Sequence, residues 1–521
     1  MPRCKAAVTL QHLCISNITT NVRYWTQDYE DKLLDKGRFR HLLGPFDEIP
    51  SSMLIQDLAD ELIRRRKLTR SSLHLLINGG LLQHLDFSDC PRLITDEIVY
   101  MIADKCKKVK TLILSGCSRV SSQAFEILAN NIPFAVRLDF SNTKIGTLAI
   151  QSLFRSCSDL QELALRHCQV CDNDVGVLCN MAMQKERFGL RKLDLSSSMV
   201  TDMGIRALLR SIPQLQEFHY SNLIGCIIAE SPITEEFEHQ YLLQLPHLGQ
   251  ESSLFSSSAV DTKMGQTSLR MLECTDFCNI TDSHLKLISF LCPKLVSLDL
   301  RFARGFSSAG LTDLLHLLHL KELKLASSDL LSFEGALLAF LRRNGNQLTL
   351  LSLEDFDGID LHLVGQLCPH LQKLLIFMTS DNADFTSGEY GNLSTQTPFK
   401  HLEELALWCS NANSTITPDI LNTVLPHCLS LRSLEVIRVA GLTDSVLHEA
   451  IDSHCFLKLK SLTLHECNAV SRAPISRLIL DDRNILETLT LMDCFSTTRR
   501  DYEGWLKLVK RCNYKLTLAW K

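Results

Sequence analysis

Five times between Leu82 and Ser198 the chain repeats one short pattern, L-x-x-L-x-L-x-x followed by Cys, Asn, Ser or Thr, and the alternating apolar pair at its heart recurs sixteen times between Leu85 and Leu516. The first leucine of the L-x-L pair falls at 85, 112, 138, 163 and 193, with Phe218 in the sixth place. It falls again at 272, 298, 323, 351, 374, 405, 434, 462, 489 and 516. Steps run from 23 to 31 residues, and the 54-residue gap from Phe218 to Leu272 leaves room for one degenerate copy around Tyr241 to Leu248. Strict alternation at each L-x-L predicts a short strand with its leucines on one face, and the Cys or small polar residue after it can turn the chain and satisfy backbone groups inside. Between strands the period changes. Ile94, Ile98 and Ile102 are four apart, and Phe125, Leu128 and Ile132 repeat the helical spacing. A strand–turn–helix unit this small cannot bury its own apolar face, so the copies must stack and share one core.

These residues, above all LILSGCSRVSSQAFEIL, LALRHCQVCDNDVGVL and LTLHECNAVSRAPISRL, resemble the cysteine-containing branch of the leucine-rich repeats. The resemblance covers residues 80–521 and implies an α/β solenoid of about 16 or 17 units: a horseshoe with a concave parallel β-sheet and helices outside. A cysteine also stands six residues before the strand leucine at Cys106, Cys157, Cys292, Cys368 and Cys428, with Val or Leu three residues after it. Such regular placement implies packing. Two stretches break the array: 222–267, with SPITEEFEHQ and a serine-rich run, and 378–399, with MTSDNADFTSGEYGNLSTQTPF. Both read as insertions leaving one rim of the solenoid, either tolerated length or partner-binding loops.

Composition narrows the class. With 54 Lys+Arg against 59 Asp+Glu and 45% hydrophobic residues, the chain reads as a folded protein with no basic surface for nucleic acid. No stretch approaches the 18 apolar residues of a membrane span, and no apolar signal follows the Met-Pro-Arg-Cys-Lys start. The 20 cysteines are therefore expected reduced, the protein cytoplasmic or nuclear, and the Asn-x-Ser/Thr sequences at Asn17, Asn279, Asn392 and Asn413 unmodified.

Residues 1–80 do not repeat. From Thr9 to Ile18 the spacing puts Leu10, Cys14 and Ile18 on one helical stripe, the small Cys making a notch between two branched residues. This stripe resembles the BC-box, through which substrate receptors dock a helix into Elongin C, and Thr9, Leu10, Cys14 and Ile18 all match. Downstream, Ile49, Pro50 and Met53 open a proline-led helix similar to the cullin-2 box over 49–58, although the last apolar position falls on Asp57 with Leu58 one residue late. The order resembles the zyg-eleven-related receptors of cullin-RING ubiquitin ligases. Those relatives carry armadillo-type repeats after a few leucine-rich ones, whereas this chain keeps L-x-L strands to LTLAWK, so only the adaptor half of the resemblance carries over. Two other readings stay open: a cap sealing the first repeat, with the stripe packed inward, and an F-box over 47–85 that would bind Skp1. Arg64-Arg65-Arg66-Lys67 reads as a solvated helix face or a nuclear signal.

No H-E-x-x-H, G-x-x-x-x-G-K-[ST], G-x-S-x-G or dinucleotide fingerprint occurs, and His167-Cys168-x-x-Cys171 is a lone pair of thiols explained by the repeat. The expectation is a non-catalytic recognition subunit without cofactor or metal, linked to Elongin B/C and a cullin, holding an unknown protein substrate. Binding is expected on the exposed positions around L-x-L, where Arg301, Phe302, Glu354, Phe377, Trp408, Arg438 and His465 supply aromatic and charged anchors. A scaffold unrelated to ubiquitin would use the same surface.

Overall fold

The computed structural model describes residues 9–27, 45–46, 49, 51–184, 188–229, 265–379, 385, 398–410, 416–481, 483–512 and 514–521. They form two compact units, divided between Met271 and Leu272.

The first unit opens with α1 (Leu10–Thr20), α2 (Ser52–Arg64) and α3 (Arg70–Asn78). Six three-residue parallel strands follow in sequence order: β1 (His84–Asp86), β2 (Thr111–Ile113), β3 (Arg137–Asp139), β4 (Glu162–Ala164), β5 (Lys192–Asp194) and β6 (Glu217–His219). Leu85, Leu112, Leu138, Leu163, Leu193 and Phe218 stand in register at the centre of these strands, each buried. A helix follows every strand, as at Asp96–Lys105 and Ser122–Asn131, and buries Ile98 and Ile102 or Phe125 and Leu128. Fully burying a leucine contributes roughly 2–3 kcal/mol, and here the burying surface comes from the neighbouring repeat.

In the second unit β7 (Met271–Glu273), β9 (Ser297–Leu300), β11 (Glu322–Ala326), β12 (Leu350–Glu354), β13 (Lys373–Met378), β14 (Glu404–Cys409), β15 (Ser433–Ile437), β16 (Ser461–His465), β17 (Thr488–Met492) and β18 (Thr517–Trp520) form a ten-stranded sheet. Two short strands, β8 (Cys278–Asn279) and β10 (Ala303–Arg304), pair with each other apart from it. The expected strand leucines from 272 to 489 all lie in their strands. The last does not: Leu518, not Leu516, stands opposite Leu489. Cys512, which caps the preceding helix, lies six residues before Leu518, so the spacing seen at the other five capping cysteines holds here too.

Two ladders of side chains join successive repeats. The turn cysteines are buried and point at a carbonyl of the repeat before: Cys168 Sγ donates to Phe140 O (3.1 Å), Cys467 Sγ to Val436 O (3.4 Å) and Cys494 Sγ to Leu464 O (3.6 Å). An aspartate in the first turn of one helix accepts from the N-cap residue of the next. Asp282 takes the N–H and hydroxyl of Ser307 (2.7 and 2.8 Å), Asp444 those of Ser471 (2.6 and 2.5 Å), and Asp172 those of Thr201 (2.8 and 2.7 Å). Each carboxylate thereby answers backbone donors that a helix start leaves open. All described cysteines are free thiols. Burial pushes the Cys106, Cys368 and Cys428 thiols up to about 12, which keeps them neutral and suits packing rather than reactivity.

The turn after the strands uses the left-handed region at the fourth residue past the first leucine. Gly116, Asn142, His167, Ser197, Asp355, Arg438, Glu466 and Asp493 all occupy it, and seven of these eight are not glycine. The expected insertion at 222–267 starts later than the sequence suggested, because Leu223–Ile228 is a helix that buries Leu223, Ile224, Cys226 and Ile227. Residues 230–264, which include the degenerate copy at Tyr241 to Leu248, lie outside the described residues, as do 380–384 and 386–397 of the second insertion. Within the latter, Phe385 is buried and bridges to Ile359.

Candidate protein-interaction sites

In the N-terminal helices, Thr9 caps α1 by accepting from His12 N–H at 3.3 Å. At 100° per residue, Ile15, Ser16 and Thr19 lie on the face opposite Leu10 and Cys14, with Gln11 and Thr20 at its two edges. The inner face meets α2: Gln11 donates to Asp57 Oδ2 (2.9 Å), Arg65 to Ser16 Oγ (3.0 Å) and Thr20 Oγ1 (3.2 Å), and Lys67 Nζ to the Thr20 carbonyl (3.2 Å). Arg64 and Arg65 also both bind the nearly buried Glu61 (2.6 and 2.5 Å), and the hydrogen bond from Arg64 leads in holding its carboxyl below the usual range. The basic run is therefore in part a clamp between α1 and α2 rather than a wholly solvated face. Its partners on α1, Ser16 and Thr20, lie more than forty residues away in sequence, beyond the reach of a local pattern.

Leu10 and Cys14 face away from α2 and are exposed, Leu10 to 77%, with Leu13 beside them at 53%. Ile18 is half-buried at the edge of the same stripe. The cap reading, with the stripe turned inward, does not hold for α1. Capping is done instead by α2, where the Gln56 amide bonds both ways to the free edge of β1: Nε2 donates to His84 O (2.5 Å) and Oε1 accepts from His84 N (3.2 Å). In the cullin-box-like segment Met53 is 72% exposed, Ile49 is half-buried and Pro50 lies outside the described residues. Leu58 is in the core and Asp57 is held by Gln11, so neither completes the motif. Sequence reasoning passed over the exposed Leu13, Tyr24 and Trp25, whose spacing does not fit the BC-box stripe.

The second unit divides the expected substrate-binding residues into two groups. Arg301 is taken by Asp299 in a two-pronged pair (3.0 and 2.7 Å), and Lys324 binds the same carboxylate at 3.2 Å. Phe302 packs edge-on against Phe277, 5.4 Å between ring centres, beside the small β8–β10 pair. Arg438 holds Glu466 (2.6 Å) and the Ser410 carbonyl (2.8 Å), while His465 lies 3.2 Å from Asp493 and 3.5 Å from Glu466. Those four are already engaged. Glu354, Phe377 and Trp408 are different. They stand in register on β12, β13 and β14, on the sheet face away from the buried leucines. The two rings meet edge to face at 5.0 Å, and Trp408 is 39% exposed.

At the lone thiol pair, Cys168 serves the ladder described above and Cys171 Sγ donates to Asp174 Oδ2 at 3.3 Å. Among the described residues no three His, Cys, Asp or Glu side chains converge as metal ligands, and no helix is long and apolar enough to cross a membrane.

No protein-family model matches the chain. F-box/LRR-repeat protein 4 of Bos taurus is 32% identical over 144 residues, which is 27% of this chain and only 22% of that protein. The fold, parallel strands each followed by a helix and repeated in register, is the α/β fold of leucine-rich repeats. Among solved structures, the chain is similar to the yeast Rad7 and Elc1 complex, 17% identical with a TM-score of 0.42, covering 95% of this chain and 96% of that one. A TLR13–ssRNA13 complex (15%, TM-score 0.35, 82% and 64% covered) and an internalin of Listeria monocytogenes (14%, TM-score 0.30, 82% and 89%) are further examples.

Proposed function

We propose that this leucine-rich-repeat protein is the substrate-recognition subunit of a cullin-RING ubiquitin ligase. In this reading α1 docks into Elongin C of the Elongin B/C pair, Met53 and its neighbours meet a cullin of the cullin-2 type, and the sheet face of the second unit holds the target. One observation carries it: Leu10, Leu13 and Cys14 form an apolar strip turned away from α2 on a helix whose other face is tied down by Asp57, Arg65 and Lys67. A short helix with such a strip is the element that helix-in-groove recognition uses. Chemistry would come from proximity alone, the cullin bringing the conjugating enzyme to a lysine of the held target. That role belongs in the cytoplasm or nucleus.

A second reading has one observation in its favour, that the curated relative is named as an F-box protein. In that case the helices from Ser52 onward would bind Skp1. Co-expression of the chain with Elongin B/C and, separately, with Skp1 decides between them. Stoichiometric co-purification with Elongin B/C alone supports the proposal, capture by Skp1 alone replaces it, and capture by neither leaves a scaffold without a ubiquitin role.

A further inference from the structure

The outer face of β12–β15 carries an apolar patch between two carboxylates. Leu375, Phe377, Ala406, Trp408 and Ile437 lie together, with Phe377, Trp408 and Ile437 in direct register on consecutive strands. Glu354 is the residue opposite Phe377 on one side. Glu435 stands opposite Ala406 on the other. The cations of this face are committed: Lys324 and Arg301 to Asp299 (3.2 and 2.7 Å), Lys373 to Glu404 (2.8 Å) and Arg438 to Glu466 (2.6 Å). Neither Glu354 nor Glu435 closes an ion pair or accepts a side-chain hydrogen bond from a described residue, and Arg301 reaches Glu354 only at longer range. Partial burial pushes both carboxyls above the usual range, with Asp355 adding to the effect at Glu354 and Glu404 at Glu435. A face with two uncompensated acids and an aromatic pair between them is complementary to a ligand with two cations and an apolar group between them.

Spacing sets the ligand's geometry. Glu354 and Glu435 are three strands apart and two residues out of direct register, about 16 Å at the usual strand separation of about 4.8 Å and rise of about 3.3 Å per residue, a distance that two long cationic side chains about 13–14 Å apart at the backbone can reach. In an extended peptide crossing the strands, residues i, i+2 and i+4 face the same way and i to i+4 spans about 13–14 Å. We propose that this face binds an extended segment of the form basic-x-apolar-x-basic, its apolar side chain on Phe377 and Trp408 and its two cations at Glu354 and Glu435. The inference rests on reading this face as the target-holding surface, and it names the class of target.

The test is fluorescence anisotropy of the full chain with a labelled peptide, Gly-Ser-Arg-Ser-Leu-Ser-Arg-Ser-Gly. Saturable binding is expected, weakened about tenfold or more when both arginines become glutamate and similarly when the leucine becomes serine. Trp408→Ala should weaken it by a comparable factor. The double variant Glu354→Arg with Glu435→Arg should reverse the preference and bind the glutamate peptide at least about tenfold more tightly than the arginine one. This gain cannot come from misfolding. Equal affinity of the wild type for both peptides, no saturable binding of either, or a preference unchanged in the double variant would overturn the proposal. Elongin B/C capture by the same variants reads α1 independently, so failure of the peptide site and failure of the ligase reading are distinguishable.

Discussion

His74 offers a measurement of how dry the interface between the N-terminal helices and the first repeats is. It lies on α3, 4% exposed, with Nδ1 3.0 Å from Met101 Sδ of the helix Asp96–Lys105. Burial, reinforced by the charge of Arg70, pushes its pKa down from 6.5 to about 4. Glu97 lies 3.9 Å away and pulls the other way, but Arg70 already engages that carboxylate, so the desolvation cost prevails. The sign follows from linkage. Above pH 6.5 the ring is neutral in both states and the stabilisation is complete; as pH falls from 6.5 towards 4 the unfolded chain takes up the proton first and stability is lost. With those two values the loss is about 2 kcal/mol by pH 5 and approaches about 3 kcal/mol near pH 4. Global unfolding of a long repeat array is not a two-state event, so the assay should be local. Urea-dependent hydrogen exchange of peptides covering α3, at pH 7 and pH 5 and corrected for intrinsic exchange, compares wild type with His74→Met. The wild type should lose about 2 kcal/mol more than the variant between the two conditions. Parallel behaviour of the two proteins would refute the argument and imply a ring that protonates in place.

Other outcomes follow from the ladders and the clamp. Ser197→Gly should raise local stability by about 0.5–1 kcal/mol, since the exposed Ser197 sits in left-handed backbone; hydrogen exchange of peptides covering Lys192–Asp194 and Asp202–Ser211 checks it. Asp444→Ala removes both bonds to Ser471 and should cost about 1–2 kcal/mol, with Asp444→Asn recovering part; hydrogen exchange of the helices Asp444–Asp452 and Arg472–Leu480 gives the readout. Arg65→Ala cuts the ties to Ser16 and Thr20 and should make α1 the first site of limited proteolysis while the repeats resist. If α1 stayed protected in that variant, the clamp would not be what holds it.

The repeat strands were legible because a period of two at L-x-L admits one inward face, and a slip by one residue would turn every leucine to solvent. A slip by two keeps the face, which is why Leu516 passed for Leu518; the capping cysteine rule at Cys512 resolves it. The left-handed turn residue of each repeat was not legible, since Asn142, His167, Arg438 and Glu466 carry no glycine signature, and the bond each N–H makes to a carbonyl of the next repeat is not written in local pattern. On the interaction surfaces, residue type alone selected Arg301, Phe302, Arg438 and His465. Whether a charged or aromatic side chain is free depends on partners such as Asp299, Phe277, Glu466 and Asp493, and these pairings were not read from local pattern. The BC-box-like stripe was read correctly as a helical face, but only the contacts of Gln11 and Arg65 tell which way it points.

In the proposed complex α1 presents Leu10 and Cys14 to Elongin C while contributing little to the fold of the repeats. Calorimetric titration of Elongin B/C into the wild type and into Leu10→Ser with Cys14→Phe, each with its melting temperature, separates binding from folding. A one-to-one complex is expected for the wild type, no detectable heat for the variant, and melting temperatures that agree. Undiminished binding by the variant, or no binding by the wild type, would contradict the proposal, and a large fall in the variant's melting temperature would mean that the stripe is packed after all.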